Sequence, residues 1–213
     1  MSFANKITFA LCILATAAWG QSAENIIKLV APQTSGGRSI MECLAMRQSS
    51  KTFISGKRLS KQQISNILFA AGGINRSNGK LTIPTARNLQ NQSIYAFLPD
   101  GVYIYRPHSH TLELVQQGNF MEQCGRQSYH RNASMILIYV SDMSVIGGNE
   151  VGNAMCSGTH AGSSAQNVYL YAASENLGTV ICGNFDEKKL ADLLNLPVSH
   201  RICYIQPIGY VDK

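Results

Sequence analysis

The chain has 213 residues, enough for one ordinary domain once its first twenty are set aside. Lys6 is the only charge in those twenty, so the +6 of the whole falls to +5 for the rest, 17 basic against 12 acidic residues. The basic residues are scattered, with no Lys/Arg-rich run and no interleaved aromatics; this argues against a nucleic-acid partner and suits an anionic cofactor.

Residues 1–20 read as a signal peptide. Ile7 to Trp19 is an apolar run of thirteen residues, short of the roughly 20 that span a bilayer. It ends in Ala18-Trp19-Gly20, a small-x-small cleavage pattern. Leu11 before Cys12 is too large for a lipoprotein anchor. The expectation is an exported protein, periplasmic or secreted, with no membrane segment after cleavage. Residues 21–38 are polar and Gly-containing and read as an extended arm; residues 39–213 form the domain.

Ser39-Ile40-Met41-Glu42 has the form of a capping box, and Ser60-Lys61-Gln62-Gln63 repeats it before the stripe Ile64, Ile67, Leu68, Ala71. Gly72-Gly73 stops that second helix. Ser93–Phe97 and Val102–Tyr105 flank Pro99-Asp100-Gly101 and predict a hairpin. Ser134–Val140 reads as a buried central strand, and the Gly- and Asn-rich residues 141–157 as a mobile loop. Thr159–Asn176 is the longest predicted helix, with Gly178 as its stop. Strands are predicted at Thr179–Cys182 and Ile202–Ile208, around a helix at Glu187–Leu194 that Asp186 caps. The class is α+β around a mainly antiparallel sheet.

Five cysteines follow residue 20: Cys43, Cys124, Cys156, Cys182 and Cys203. An odd number leaves at least one thiol free if others pair in an oxidising compartment, and no C-x-x-C occurs. Most read as small buried hydrophobes. Cys156 and His160, four apart, form a weak thiolate–imidazole candidate without an orienting third group. His108 and His110 read as surface-loop residues rather than metal ligands.

Arg47-Gln48-Ser49-Ser50-Lys51-Thr52-Phe53 gathers two cations and several hydroxyls at a helix end. Arg47 and Lys51 sit four apart, and one helical turn would bring them to one face. Alone, the stretch reads equally as a solvated basic helix end. Two further stretches follow, Pro84-Thr85-Ala86-Arg87-Asn88-Leu89-Gln90 and Ile181-Cys182-Gly183-Asn184-Phe185-Asp186, and then Pro207-Ile208-Gly209-Tyr210. In this order they resemble the FMN-dependent nitroreductase-like family, over residues 39–213. The resemblance implies a three-layer α/β/α sandwich and an FMN cofactor. It puts Arg47, Gln48, Ser49 and Lys51 at the phosphate, with Phe53 following. Thr85, Asn88 and Gln90 fall along the ring, and Gly183, beside Asn184, has its N–H at flavin N5. Cys182 departs from the best-known relatives, and the basic C-terminal tail of longer relatives is reduced to Lys213.

The family's chemistry implies hydride transfer through N5 between a donor such as NAD(P)H and a small organic acceptor, a nitro compound or quinone. No side chain need act as a nucleophile. It also implies a homodimer with FMN at the subunit interface. Alternatives are a substrate or peptide dehydrogenase akin to the azoline dehydrogenases, a non-catalytic exported flavin-binding or interaction protein, and an exported domain without flavin.

Overall fold

The computed structural model describes residues 25–212, so the expected leader at 1–20 lies outside the described residues. Seven strands form one sheet: β1 (Ile26–Lys28), β2 (Gln92–Leu98), β3 (Gly101–Arg106), β4 (Thr111–Gln117), β5 (Met135–Asp142), β6 (Leu177–Thr179) and β7 (His200–Tyr210). Their order is β1-β4-β3-β2-β5-β7-β6, and every pairing is antiparallel.

Strand side chains alternate between faces, so a strand buried on both sides feeds two cores. On β5, Met135, Leu137 and Tyr139 join one core, and Ile136, Ile138 and Val140 the other. On β2, Ile94, Ala96 and Leu98 divide from Tyr95 and Phe97 in the same way. Helices α2 (Lys61–Gly72) and α3 (Glu150–Ser174) cover the first core with Ile67, Leu68, Ala161, Ala165, Val168 and Ala172. Leu190 of α4 (Glu187–Leu193), with Met121 and Cys124 from a short 3-10 turn and its end, covers the second. This is the expected three-layer α+β sandwich.

Both expected capping boxes form, at Ser39–Glu42 before α1 (Ile40–Met46) and at Ser60–Gln63 before α2, and Asp186 caps α4. The arm contributes β1, an edge strand on β4. Strand β4 was not foreseen, although Thr111–Gln117 is long enough to pair with both β1 and β3.

The expected mobile loop over 141–157 is wrong in extent. The Asn149 side chain accepts the Gly152 N–H, so α3 starts at Glu150, and residues 141 and 142 belong to β5. Gly152, read as a loop residue, and Gly158, just before the predicted helix start, both sit inside that helix with Gly162. Its end is not made by Gly178 either. Asn176 takes the left-handed conformation (φ 56°), and Gly178 lies in β6. All five cysteines of the described chain are free thiols.

Besides His160 of α3, two imidazoles are built in neutral. His110 Nε2 lies 3.1 Å from the Val30 carbonyl, which can only accept, so this nitrogen holds the hydrogen and Nδ1 accepts from Tyr105 Oη at 2.9 Å. His130 is fully buried; Nδ1 donates to the Gln127 carbonyl at 2.7 Å, and Nε2 has no partner. Burial lowers the pKa of both. The unfolded chain therefore takes up protons below about pH 6.5 that the folded chain refuses, so stability present above that pH is lost as pH falls through the depressed values. Thermal denaturation followed by circular dichroism from pH 8 to pH 5 should show the midpoint dropping below about pH 6.5. His110→Gln should flatten part of that drop, and a wild-type midpoint that stays level would contradict the assignment.

Candidate functional site

Helix α1 stops at Met46. Its C-cap, Arg47, has turned to φ −57°, ψ 118°, and residues 47–54 run on without helix. The expectation that Arg47 and Lys51 share a helical face is therefore overturned. The backbone here is bonded to the sheet instead: Ser50 N–H donates to Thr179 O at 3.0 Å, and Ile54 N–H to Tyr210 O at 2.8 Å. Gly178 permits this approach, since a Cβ there would lie 2.8 Å from Ser50 Cβ and collide with Val211.

Attachment to the sheet sets which side chains gather. The Arg47 guanidinium lies 5.2 Å from the centre of the Tyr169 ring, Ser49 Oγ is 2.9 Å from Tyr169 Oη, and the Lys51 charge acts on Cys182. Gln48 lines a cavity of about 440 Å³ that Tyr169 also borders, together with Ser50, Arg38, Asn176 and Asp212.

Tyr169 of α3 organises the cationic side. Its Oη accepts the Ile181 N–H at 2.9 Å and can give its own hydrogen to Ser49 Oγ, 2.9 Å away. The Ser49 hydrogen is then free to point at an anion, between two cations. Neither Arg47 nor Lys51 forms an ion pair among the described residues. Sequence reasoning placed Tyr169 only on the packing side of the helix; no local motif announces its role.

Ile181 leads directly to the loop before α4. Cys182 exchanges both backbone hydrogen bonds with Ile205, at 2.8 and 3.0 Å. Gly183 is exposed, a Cβ there would meet nothing within 4 Å, and its N–H bonds to no other described residue. The Asn184 side chain is likewise exposed, while its carbonyl accepts the Arg126 N–H at 3.4 Å. Cys182 Sγ lies 3.2 Å from Tyr129 Oη; burial raises the thiol pKa, and that hydrogen bond and Lys51 oppose the rise. The Cys156–His160 candidate pair is absent from the hydrogen bonds of the described residues: His160 bonds Ala86 and Asn91 instead.

The Thr85–Gln90 stretch is a tight turn containing a short 3-10 segment at Ala86–Asn88. Arg87, Asn88 and Gln90 all have positive φ, at 51°, 57° and 47°. Each such residue costs on the order of 1–2 kcal/mol, less for Asn. Thr85 Oγ1 accepts the Gln90 N–H at 3.2 Å, and Gln90 Nε2 donates to the Gly79 carbonyl at 2.9 Å. The Asn88 side chain is left exposed. The turn is tied to α3 through Ala86 N–H and His160 Nε2 at 2.8 Å. His160 and Tyr169 are nine positions apart on α3, about 13 Å along its axis. The cationic set and the amide set therefore hang from two separate points of one helix.

A cationic, hydroxyl-bearing segment thus lies along one edge of an antiparallel α+β sandwich, near the loop that carries the unused Gly183 N–H. Comparison with known proteins gives the family. The nitroreductase family model matches residues 44–210, and the chain belongs to that family. That makes it a flavin-dependent oxidoreductase. A candidate nitroreductase of Methanocaldococcus jannaschii is 28% identical over 170 residues, covering 73% of this chain and 83% of its own. The crystal structure of a candidate nitroreductase from Ralstonia eutropha JMP134 is 30% identical, with a TM-score of 0.84 over 90% of this chain and 92% of that one. A Desulfovibrio desulfuricans nitroreductase-family structure holding FMN shares the fold at a TM-score of 0.60 and 18% identity, over 84% of this chain and 89% of that one.

Tyr169→Phe removes the one hydroxyl that joins Ser49 to Ile181, at a cost of about 1–3 kcal/mol for the groups left unpaired. The variant should fold, with a lower midpoint in denaturant and faster amide exchange at Ile181. Unchanged exchange there would remove Tyr169 from its organising role.

Proposed function

We propose that this chain binds FMN between the Arg47–Lys51 segment and the Gly183 loop and uses it to reduce a small organic acceptor, a nitro compound or quinone, with NAD(P)H as donor. The observation that carries the reading is that Arg47 and Ser49 meet at Tyr169 while Lys51 reaches Cys182, next to Gly183: two cations without ion-pair partners among the described residues, a hydroxyl between them in the chain, and an open backbone N–H. This donor set fits a phosphate at one end and a ring acceptor at the other. FMN, when bound, supplies hydride transfer at N5.

The protein's part is binding, orientation and electrostatics. Arg47 and Lys51 neutralise the phosphate, Ser49 donates to it, and Gly183 N–H faces the ring beside Asn184. Lys51 lies between the two ends, near enough to Cys182 to oppose the rise in its pKa. Thr85, Asn88 and Gln90 present two amides and a hydroxyl from a separate part of the surface.

That separation supports a homodimer in which the amide set of one subunit completes the cationic set of the other. Ile40, Met41 and Leu44 of α1, beside the C-terminal end of α3, and Val151 and Met155 at its N-terminal end stay 47–70% exposed, apolar surface that a second copy could cover. Sedimentation at micromolar concentration should show a dimer, and Met41→Glu with Met155→Glu should yield monomers that have lost flavin. A wild-type monomer that retains flavin would refute the shared site. Export after cleavage near Gly20 belongs to this proposal too, supported by the apolar run from Ile7 to Trp19.

The first experiment is an absorbance spectrum, 300–550 nm, of the purified protein before and after anaerobic NADH. Flavin bands that bleach are expected. Arg47→Ala with Lys51→Ala removes two charge-assisted contacts of about 1.5–3 kcal/mol each, so affinity should fall at least about a hundredfold. The double variant should elute colourless at micromolar protein; full flavin loading would refute the phosphate assignment.

A further inference from the structure

The geometry points to His160 as the positioning residue that holds the Thr85–Gln90 turn in shape, and to protonation of its imidazole as the event that releases the turn and, with it, the flavin. The last clause rests on the flavin reading above; the first does not.

The hydrogen bonds fix the tautomer step by step. The Asp142 carbonyl can only accept, and it lies 3.2 Å from the Asn91 side-chain nitrogen, which also donates to Ser141 Oγ at 2.7 Å. The other terminal atom of Asn91 is therefore its oxygen, which lies 3.1 Å from His160 Nδ1. An amide oxygen there requires Nδ1 to carry the hydrogen. The lone pair is then on Nε2, and it meets the Ala86 N–H at 2.8 Å. Only the neutral imidazole satisfies both neighbours. A second proton would set Nε2–H against Ala86 N–H, donor against donor.

The ring cannot readily turn to avoid that conflict. His160 is 3% exposed, Asn91 8%, Ser141 1% and Ser157 3%, and Ser141 Oγ is 2.8 Å from Ser157 Oγ. Among the described residues no carboxylate bonds to the ring. Asp142 turns its own to Ser144 N and Oγ, at 2.9 and 2.6 Å. Arg87, on the turn, lies near Gly147, Cys156 sits one helical turn before His160 on α3, and His200 acts on Asp142 from β7. Burial lowers the His160 pKa, as the geometry requires.

The turn has reason to move once unpinned, because Arg87, Asn88 and Gln90 all hold left-handed conformations. Its other ties are its own internal bonds and Gln90 Nε2 to Gly79 O. Losing Ala86–His160 removes the one hydrogen bond that joins the turn to α3.

The test uses His160→Gln, whose side-chain oxygen reaches the Nε2 position and accepts without titrating, and His160→Ala, which cannot accept. The wild-type FMN dissociation constant should rise about tenfold more than that of His160→Gln between pH 7.5 and 5. The variant shares the cofactor's own phosphate titration, so the ratio isolates the imidazole. In the flavin-free protein, amide exchange at Ala86 should be slow in wild type and His160→Gln at pH 7.5 and fast in His160→Ala. Nitrogen-15 shifts of His160 should show the Nδ1–H tautomer. A protected Ala86 amide in a protein that never binds FMN would uphold the pin and overturn the flavin reading alone. Identical pH profiles for wild type and His160→Gln would overturn the release. Unchanged Ala86 exchange in His160→Ala would overturn the pin, and if that variant does not fold, the wild-type tautomer decides the same question.

Discussion

Close packing of α3 on the sheet is the constraint from which the site follows. Ala161, Ala165 and Ala172 are nearly or fully buried on its inner side, with Val168 among them. Small side chains let the helix axis approach the strands, and the approach fixes height and rotation together. Tyr169 then reaches Ser49 and the Ile181 N–H, and His160 reaches the Ala86 N–H, from one rigid rod. The nitroreductase-type site is assembled from loops, but the loops take their positions from a helix. Larger residues at 161 or 165 would shift both attachments at once.

What could be read from the sequence divides along a physical line. Elements with their own start and stop chemistry were legible: both capping boxes, Asp186 before α4, and the alternating hairpin of β2 and β3. Features made by distant partners were not. Nothing near Arg47 in sequence says that Ser50 bonds to Thr179, so helical spacing between Arg47 and Lys51 looked reasonable where the chain is in fact held to a strand edge. The start of α3 was hidden for another reason. Gly147-Gly148 and the helical Gly152, Gly158 and Gly162 look alike in sequence, and only the Asn149 side chain on Gly152 N–H separates loop from helix.

The same line runs through the site. Arg47, Ser49, Lys51, Asn88, Gln90 and Gly183 stand out because residue types and order suggest a cofactor's donors. Tyr169 and His160 do not, because each acts through another residue. Cys156 drew attention to His160 as part of a pair four residues apart, whereas its ring nitrogens are engaged with Ala86 and Asn91. A buried histidine on a helix is ambiguous until both nitrogens have named partners.

The turn at 85–90 and the segment at 47–54 are held in opposite ways, and the difference bears on function. The cationic segment is fastened by backbone bonds to Thr179 and Tyr210, which no change of pH disturbs. The amide turn hangs on side chains: His160, Asn91, Ser141 and Ser157, each buried and each oriented by the next. In such a network every member is satisfied in one arrangement, and a misplaced proton leaves a buried group unpaired rather than hydrated. Three left-handed residues add strain that the network must oppose. The cationic segment is thus the fixed part, and the 85–90 turn, on the reading proposed above, the part that can yield.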